Sequence, residues 1–331
     1  MSLAGLAALL LPMALSGVAY AQTSTHNGAV SVTDFGAVSD DGQDDSAAFR
    51  RALEAAPVNG LVVVPPGRYE LDSTVTLENR HLRGEGLPTL LCRMTDTCIE
   101  VAGWQGDRSQ GGAASQLFGS RLESLRLLGQ GELRRAVWVS VGDYPRLERL
   151  LIQDVTGDCV LVQPRRDFAW IENLSVSEVK CDGIGRDGFV VRLPREGDQV
   201  FVNESVWSNI ETRGVTGRAF VIDNPSLIGG GEAKISKLQV QYSEFDSAGS
   251  SAAPVVGLET ENDGLIEFIL FHWVTIESTR ATRRGPCLEA DASRGGRIER
   301  VHVTGSICYG TGSGVARRGN ANVDVEKSAG F

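Results

Sequence analysis

Lysine is scarce in this 331-residue chain, aromatic residues make up 6%, and no surplus of positive charge is present. The 32 basic residues are outnumbered by 42 acidic ones, for a formal net charge of −10. That excludes nucleic acid as a partner, because its phosphates demand a basic footprint. An anionic polysaccharide would need local arginine clusters or a bridging cation. No C-x-x-C spacing points to zinc. After residue 21 no apolar run reaches the length of a membrane span. Glycine, in contrast, is abundant at 39. Short strands punctuated by Gly and Asp suit an all-β solenoid.

Residues Ser2 to Ala21 form an apolar run that ends in Ala19-Tyr20-Ala21. This reads as a secretory signal peptide over 1–21, with an A-x-A cleavage site. It lacks a basic n-region, which leaves the true start open. The mature protein is expected to be secreted or periplasmic, with no membrane contact after cleavage. Six cysteines fit that compartment and allow 15 connectivities. Local spacing favours Cys92–Cys98, Cys159–Cys181 and Cys287–Cys308, against the alternative of scattered free thiols.

The densest signal is the stretch Val32–Gly86. An Asp/Gly-rich loop, Ser39–Asp45, leads into a helical pattern over Ala47–Ala56. Asp44, Asp45 and Ser46 are all able N-caps. Phe49, Leu53 and Ala56 fall on one face. Leu61–Val64 is a fully apolar run, as expected of a strand buried on both faces. Pro65-Pro66-Gly67 turns the chain into strands at Tyr69–Leu71 and Val75–Leu77. Asp41, Asp44 and Asp45 read as loop and capping residues. No metal ligand is assigned.

In DFGA (34–37), DG (41–42), DD (44–45), the Ala/Phe/Leu helix and VVVPPGRYEL (62–71), this stretch resembles the N-terminal segment of the pectate-lyase-like, or glycosyl-hydrolase-28-related, superfamily. The resemblance implies a right-handed parallel β-helix whose first coil is capped by the helix. It also implies action on, or binding of, acidic polysaccharide. It carries over no catalytic residue. The G-H-G and R-I-K motifs of polygalacturonase-like members are absent, and the D-D pairs all lie in the cassette.

A pattern apolar-x-x-apolar-x-apolar recurs downstream, starting at Leu122, Leu147, Ile171, Trp207, Ile235, Ile266 and Ile298. The Trp207 copy is the poorest. A period in the twenties with insertions suits a β-helix, one coil being about three short strands and the extra residues loops. One domain is expected over 29–318, with the cap at 32–86 and a C-terminal tail at 319–331. Trp104–Ser115, Glu196–Ser205, Ile228–Glu232 and Ser247–Ala253 read as loops.

Aligned on those starts, three columns just past the strands collect carboxylates, arginines, His and aromatics. Carboxylates stacked one coil apart resist ionising together, so one keeps its proton while the other ionises. Glycoside hydrolysis needs such an acid and base. Asp154, Asp158, Glu178 and Asp182 are the catalytic candidates, with Asp187 nearby. Turn chemistry is the competing reading for Asp158, Asp182 and Asp187. Arg213 and Arg218 are candidates for a uronate carboxylate or for structural ion pairs. Tyr242, Trp273 and His272 are candidate sugar contacts. Two functions stay open. One is a secreted hydrolase or lyase acting on polysaccharide, with Ca2+ involved if a lyase. The other is a non-catalytic glycan-binding or adhesion module, as a monomer or a tailspike-like homotrimer.

Overall fold

The computed structural model describes residues 28–103, 119–165, 170–197, 199–225, 227, 231–248, 252–277, 285–309 and 313–331. The leader over 1–21 and the insertion over 104–115 lie outside the described residues. The 27 described strands all join one parallel sheet system, wound as a right-handed β-helix with one α-helix at its start. No described helix is long and apolar enough to cross a membrane.

Each coil turns through up to four faces, numbered here in chain order. Face I holds 170–172, 201–203, 234–236, 265–267 and 297–299. Face II holds 146–148, 175–177, 206–208, 239–241, 270–272 and 302–304. Face III holds 150–153, 179–182, 211–213, 244–246 and 275–277. Face IV holds 158–162, 189–192, 220–224, 256–260 and 286–291.

Single residues at left-handed φ bend the chain between faces. Tyr144, Asn173, Glu204, Lys237, Phe268 and Arg300 make the corner from I to II. Ser124, Arg149, Glu178, Asn209, Tyr242, Trp273 and Gly305 make the corner from II to III. Asp154, Gly183 and Gly214 make the corner from III to IV. For a non-glycine residue this conformation costs roughly 1–2 kcal/mol. It persists because paired strands on both sides hold it. The side chain at such a corner projects away from the solenoid, so these ladders are where the fold displays residues.

The interior is filled by alternate residues of each strand, since successive side chains point to opposite faces. Leu147, Val176, Trp207, Val240, Phe271 and Val303 stack inward from face II, all buried. Midway, Trp207 meets Phe220 edge-on at 5.3 Å, and Phe220 lies 5.5 Å from Phe245 and 6.3 Å from Phe271. Such aromatic contacts add about 0.5–1.5 kcal/mol each beyond area burial. Three disulfides, Cys92–Cys98, Cys159–Cys181 and Cys287–Cys308, tie face III to face IV across this interior.

The cap helix runs Ser46–Ala55, one residue earlier than its sequence pattern. Phe49, Leu53 and Ala56 are buried, and Phe49 packs edge-on against Tyr69 at 5.8 Å. Asp45 is the N-cap but its side chain does not bond the helix. Its oxygens accept instead from the Val38 and Glu70 N–H groups.

Four expectations need correcting. Leu61–Val64 alternates rather than being buried on both faces, because Leu61 and Val63 point outward on a one-layer wall. Glu196–Ser205 is largely strand, since Gln199–Ser208 pairs with the coils on either side. The stretch 319–331 is no tail: Ala321–Glu326 pairs with the Arg297–Thr304 strand and extends the solenoid. Finally, the seven repeat copies do not form one column. Leu122, Leu147 and Trp207 belong to face II, whereas Ile171, Ile235, Ile266 and Ile298 belong to face I. The same spacing of inward residues recurs on both, because each strand pair is bent by one left-handed residue.

Candidate functional site

The correct register redraws the outward columns. On face III, one column reads Leu151, Lys180, Glu211, Glu244, Thr275. Two residues along, Gln153, Asp182 and Arg213 are partners on successive coils, and Asp246 partners Glu277 beyond them. Cys181, Thr212, Phe245 and Ile276 lie between the two columns and point inward. Alternation therefore aims the charged residues of the two columns away from the core, although Asp246 is covered there. Beside face III runs the II-to-III ladder with Glu178, Asn209, Tyr242 and Trp273. Lys180, Glu211 and Glu244 of the first column, with Glu178, Asn209 and Tyr242 of the ladder, line an open depression of about 510 Å³, and the second column and Trp273 stand outside that lining.

The carboxylates here sit in two different environments. Glu211 is half-buried, which alone would raise its pKa. Lys180, at 2.6 Å, and Arg213 outweigh that and hold it below the ordinary range. Glu277 is pushed above the ordinary range by burial, and further by Glu244 and Asp246, with Arg213 opposing. Asp246 is itself buried. Its backbone is fixed by the buried Thr212 hydroxyl, which accepts from the Asp246 N–H and donates to its carbonyl, both at 3.0 Å. One face thus carries a carboxylate held ionised and a carboxyl inclined to keep its proton. That is the division of labour that acid–base chemistry requires.

The aromatics stand at the edge of this face. Tyr242 and Trp273 are 58% and 57% exposed, so their rings are free to meet a ligand. His272 lies edge-on to both, at 6.2 and 5.7 Å. Trp273 also lies over Gly305, where an added Cβ would meet the indole at 3.0 Å.

The residues selected from sequence fall in several places. Asp182 and Arg213 are direct register partners on face III. Asp182 accepts from the Gln153 amide at 3.3 Å, and Arg213 pairs with Glu211. Glu178 lies on the II-to-III ladder and lines the depression. Asp154 lies at the other end of the strand, on the III-to-IV corner, where its N–H donates to the Asp182 carbonyl. Asp158 is buried on face IV, raised by that burial, and held by the Asp187 N–H and by Arg186 at 3.3 Å. Arg218 leaves face III altogether: it pairs with Glu259, and its N–H donates to Asp187 at 2.8 Å. The four carboxylates therefore do not form one cluster. Glu211, Glu244 and Lys180 were missed, because the offset scheme mixed two faces. The signal was present in the repeated charged-x-charged run after each left-handed corner: KCD at 180, ETR at 211, EFD at 244.

A family model described as rhamnogalacturonase A/epimerase, pectate lyase-like, matches residues 29–124. The chain is 40% identical over 76 residues to a probable rhamnogalacturonase A of Aspergillus niger. The aligned part is 22% of this chain and 17% of that protein, so the chain spans about a sixth of the curated relative it matches. Among solved structures, ORF18 of Geobacillus virus E2 superposes with a TM-score of 0.61 at 13% identity, over 91% of this chain and 62% of that one. The mannuronan C-5 epimerase AlgE4 A-module of Azotobacter vinelandii gives 0.49 at 13%, over 91% and 96%. The cassette's resemblance to the pectate-lyase-like superfamily stands on the family match. That match ends before the first charged residue of the face III site.

Proposed function

We propose that this chain is a carbohydrate-active enzyme that cleaves a uronate-containing polysaccharide laid across face III. The observation that carries the reading is Glu277, inclined to keep its proton, one coil from Asp246 and beside Glu244. In this reading Glu277 donates a proton to the leaving glycosidic oxygen. Asp246 or Glu244 is the partner carboxylate that activates water or attacks the sugar. Lys180 and Arg213, which share Glu211, face the acidic sugar, and Arg213 suits a carboxylate bidentately. Asp182 and Glu178 extend the polar floor. Tyr242, Trp273 and His272 stack against sugar rings. The matched relatives are named rhamnogalacturonases, which accords with an acidic glycan. The disulfides accord with an extracellular or periplasmic setting.

The test is incubation with a panel of acidic and neutral polysaccharides, scored for new reducing ends and for the ultraviolet absorbance of an unsaturated product. New reducing ends without that absorbance are expected, and Glu277→Gln is expected to lower kcat by about 10²–10⁴. Absorbance at every cut would replace hydrolysis with elimination. Binding with no cleavage of any glycan would replace the enzyme with a binding module.

A further inference from the structure

We propose that Asp41, Asp45 and Glu70 bind a divalent cation of the hard, oxygen-liganded class, Ca2+ above all, that locks the N-terminal cap to the first coil. One carboxylate oxygen from each lies within 4.8 Å of the others. Three carboxylates drawn from a loop and a strand suit the adaptable oxygen coordination of Ca2+ better than the near-ideal octahedron that Mg2+ demands. The cluster has no sulfur or nitrogen ligand, which disfavours zinc-like metals.

A second observation points to the ligand independently. Glu70 is 1% exposed, and its Oε2 has no hydrogen-bond partner. Its other oxygen, Oε1, is taken by Arg68 at 2.9 Å. A buried carboxylate oxygen left bare costs far more than an ordinary missing hydrogen bond. Asp45, also buried, spends its oxygens on the Val38 and Glu70 N–H groups at 2.9 and 3.2 Å. Arg68 pairs with Glu70 alone, and the nearby Arg93, which also acts on Glu70, is bound to Asp72, so the three carboxylates keep an excess of negative charge that a dication offsets. The position gives the ion its role. Asp41 and Asp45 come from the loop that enters the cap helix, and Glu70 comes from the strand Arg68–Leu71 beneath it.

The test uses the whole protein stripped with EDTA, titrated with CaCl2 or MgCl2 and followed by thermal unfolding. Tb3+ luminescence, sensitised by the buried Tyr69 next to Glu70, gives a direct binding readout. Saturable Ca2+ binding is expected, with a Tm rise of about 3–6 °C and Mg2+ at least ~10-fold weaker. Asp41 is exposed, so Asp41→Asn should fold, keep the metal-free Tm, and lose at least ~10-fold in Ca2+ and Tb3+ affinity. The proposal is overturned if wild type shows neither a Tm shift nor Tb3+ luminescence, or if Asp41→Asn binds as wild type does. A metal-insensitive protein whose stability falls as pH rises would assign the bare oxygen to a shared proton instead. No glycan is used, so the outcome is independent of any cleavage activity.

Discussion

At the scale of single residues, Glu277 carries the account, and its ionisation links function to stability. Its folded-state pKa is raised, so its contribution to stability is present below the unfolded value and lost as pH rises through the folded one. Glu277→Gln cannot ionise. Thermal unfolding at pH 7 should therefore find this variant about 1–3 °C more stable than wild type, while its glycan cleavage collapses. A Tm equal to or below wild type would mean that the like-charge contacts with Glu244 and Asp246 are weak. The same shift sets the pH profile: cleavage should fall as pH climbs above the usual glutamate range, because the acid must hold its proton. Trp273→Ala should raise KM several-fold with kcat little changed, as expected of a platform that binds sugar without touching the reacting bond. Residue types were legible in the sequence, and so was the principle of stacked carboxylates. Their grouping was not. Asp158 and Asp182 shared an offset from neighbouring starts, but those starts lie on different faces.

At the scale of elements, the left-handed corner decides what is displayed and where. Strand periodicity shows which residues face in, yet it is blind to a bend that keeps the alternation while turning the wall. That is why Ile171 read as the successor of Leu147, although it pairs with Gly142 and Val202. Asn173, Asn209 and Gly305 carry the usual signal of such a corner, but Arg149, Glu178, Tyr242 and Trp273 adopt a conformation usually left to Gly or Asn, so most corners go unmarked. Glycine is strictly required elsewhere, where coils approach closely. A Cβ at Gly157 would sit 1.8 Å from the Arg134 carbonyl oxygen. Gly157→Ala should cost about 1–3 kcal/mol or more in chemical denaturation. The disulfides were legible from spacing because two of the pairs span about one coil. Replacing Cys159 and Cys181 together by Ser closes off a cross-link over a separation of 22 residues. It should lower unfolding free energy by roughly 3 kcal/mol.

At the scale of the molecule, a solenoid is stable only if its apolar ends are covered. The cassette does this at one end, and it was the most legible part of the chain because its capping, turn and strand signals lie in one short run. Phe49→Ala should cost about 3–5 kcal/mol, as for other buried aromatics, and should expose the first coil. The functional face lies far downstream in sequence, built by coils whose likeness to one another is only inward-facing. The measurement that tests this placement most directly is a crystal structure of the Glu277→Gln variant with an acidic oligosaccharide bound. The sugar should lie along face III, its carboxylates toward Arg213 and Lys180 and its rings against Tyr242 and Trp273. A sugar seated instead in the depression of about 500 Å³ beside Phe268 and Arg300 on the I-to-II corner would contradict the account.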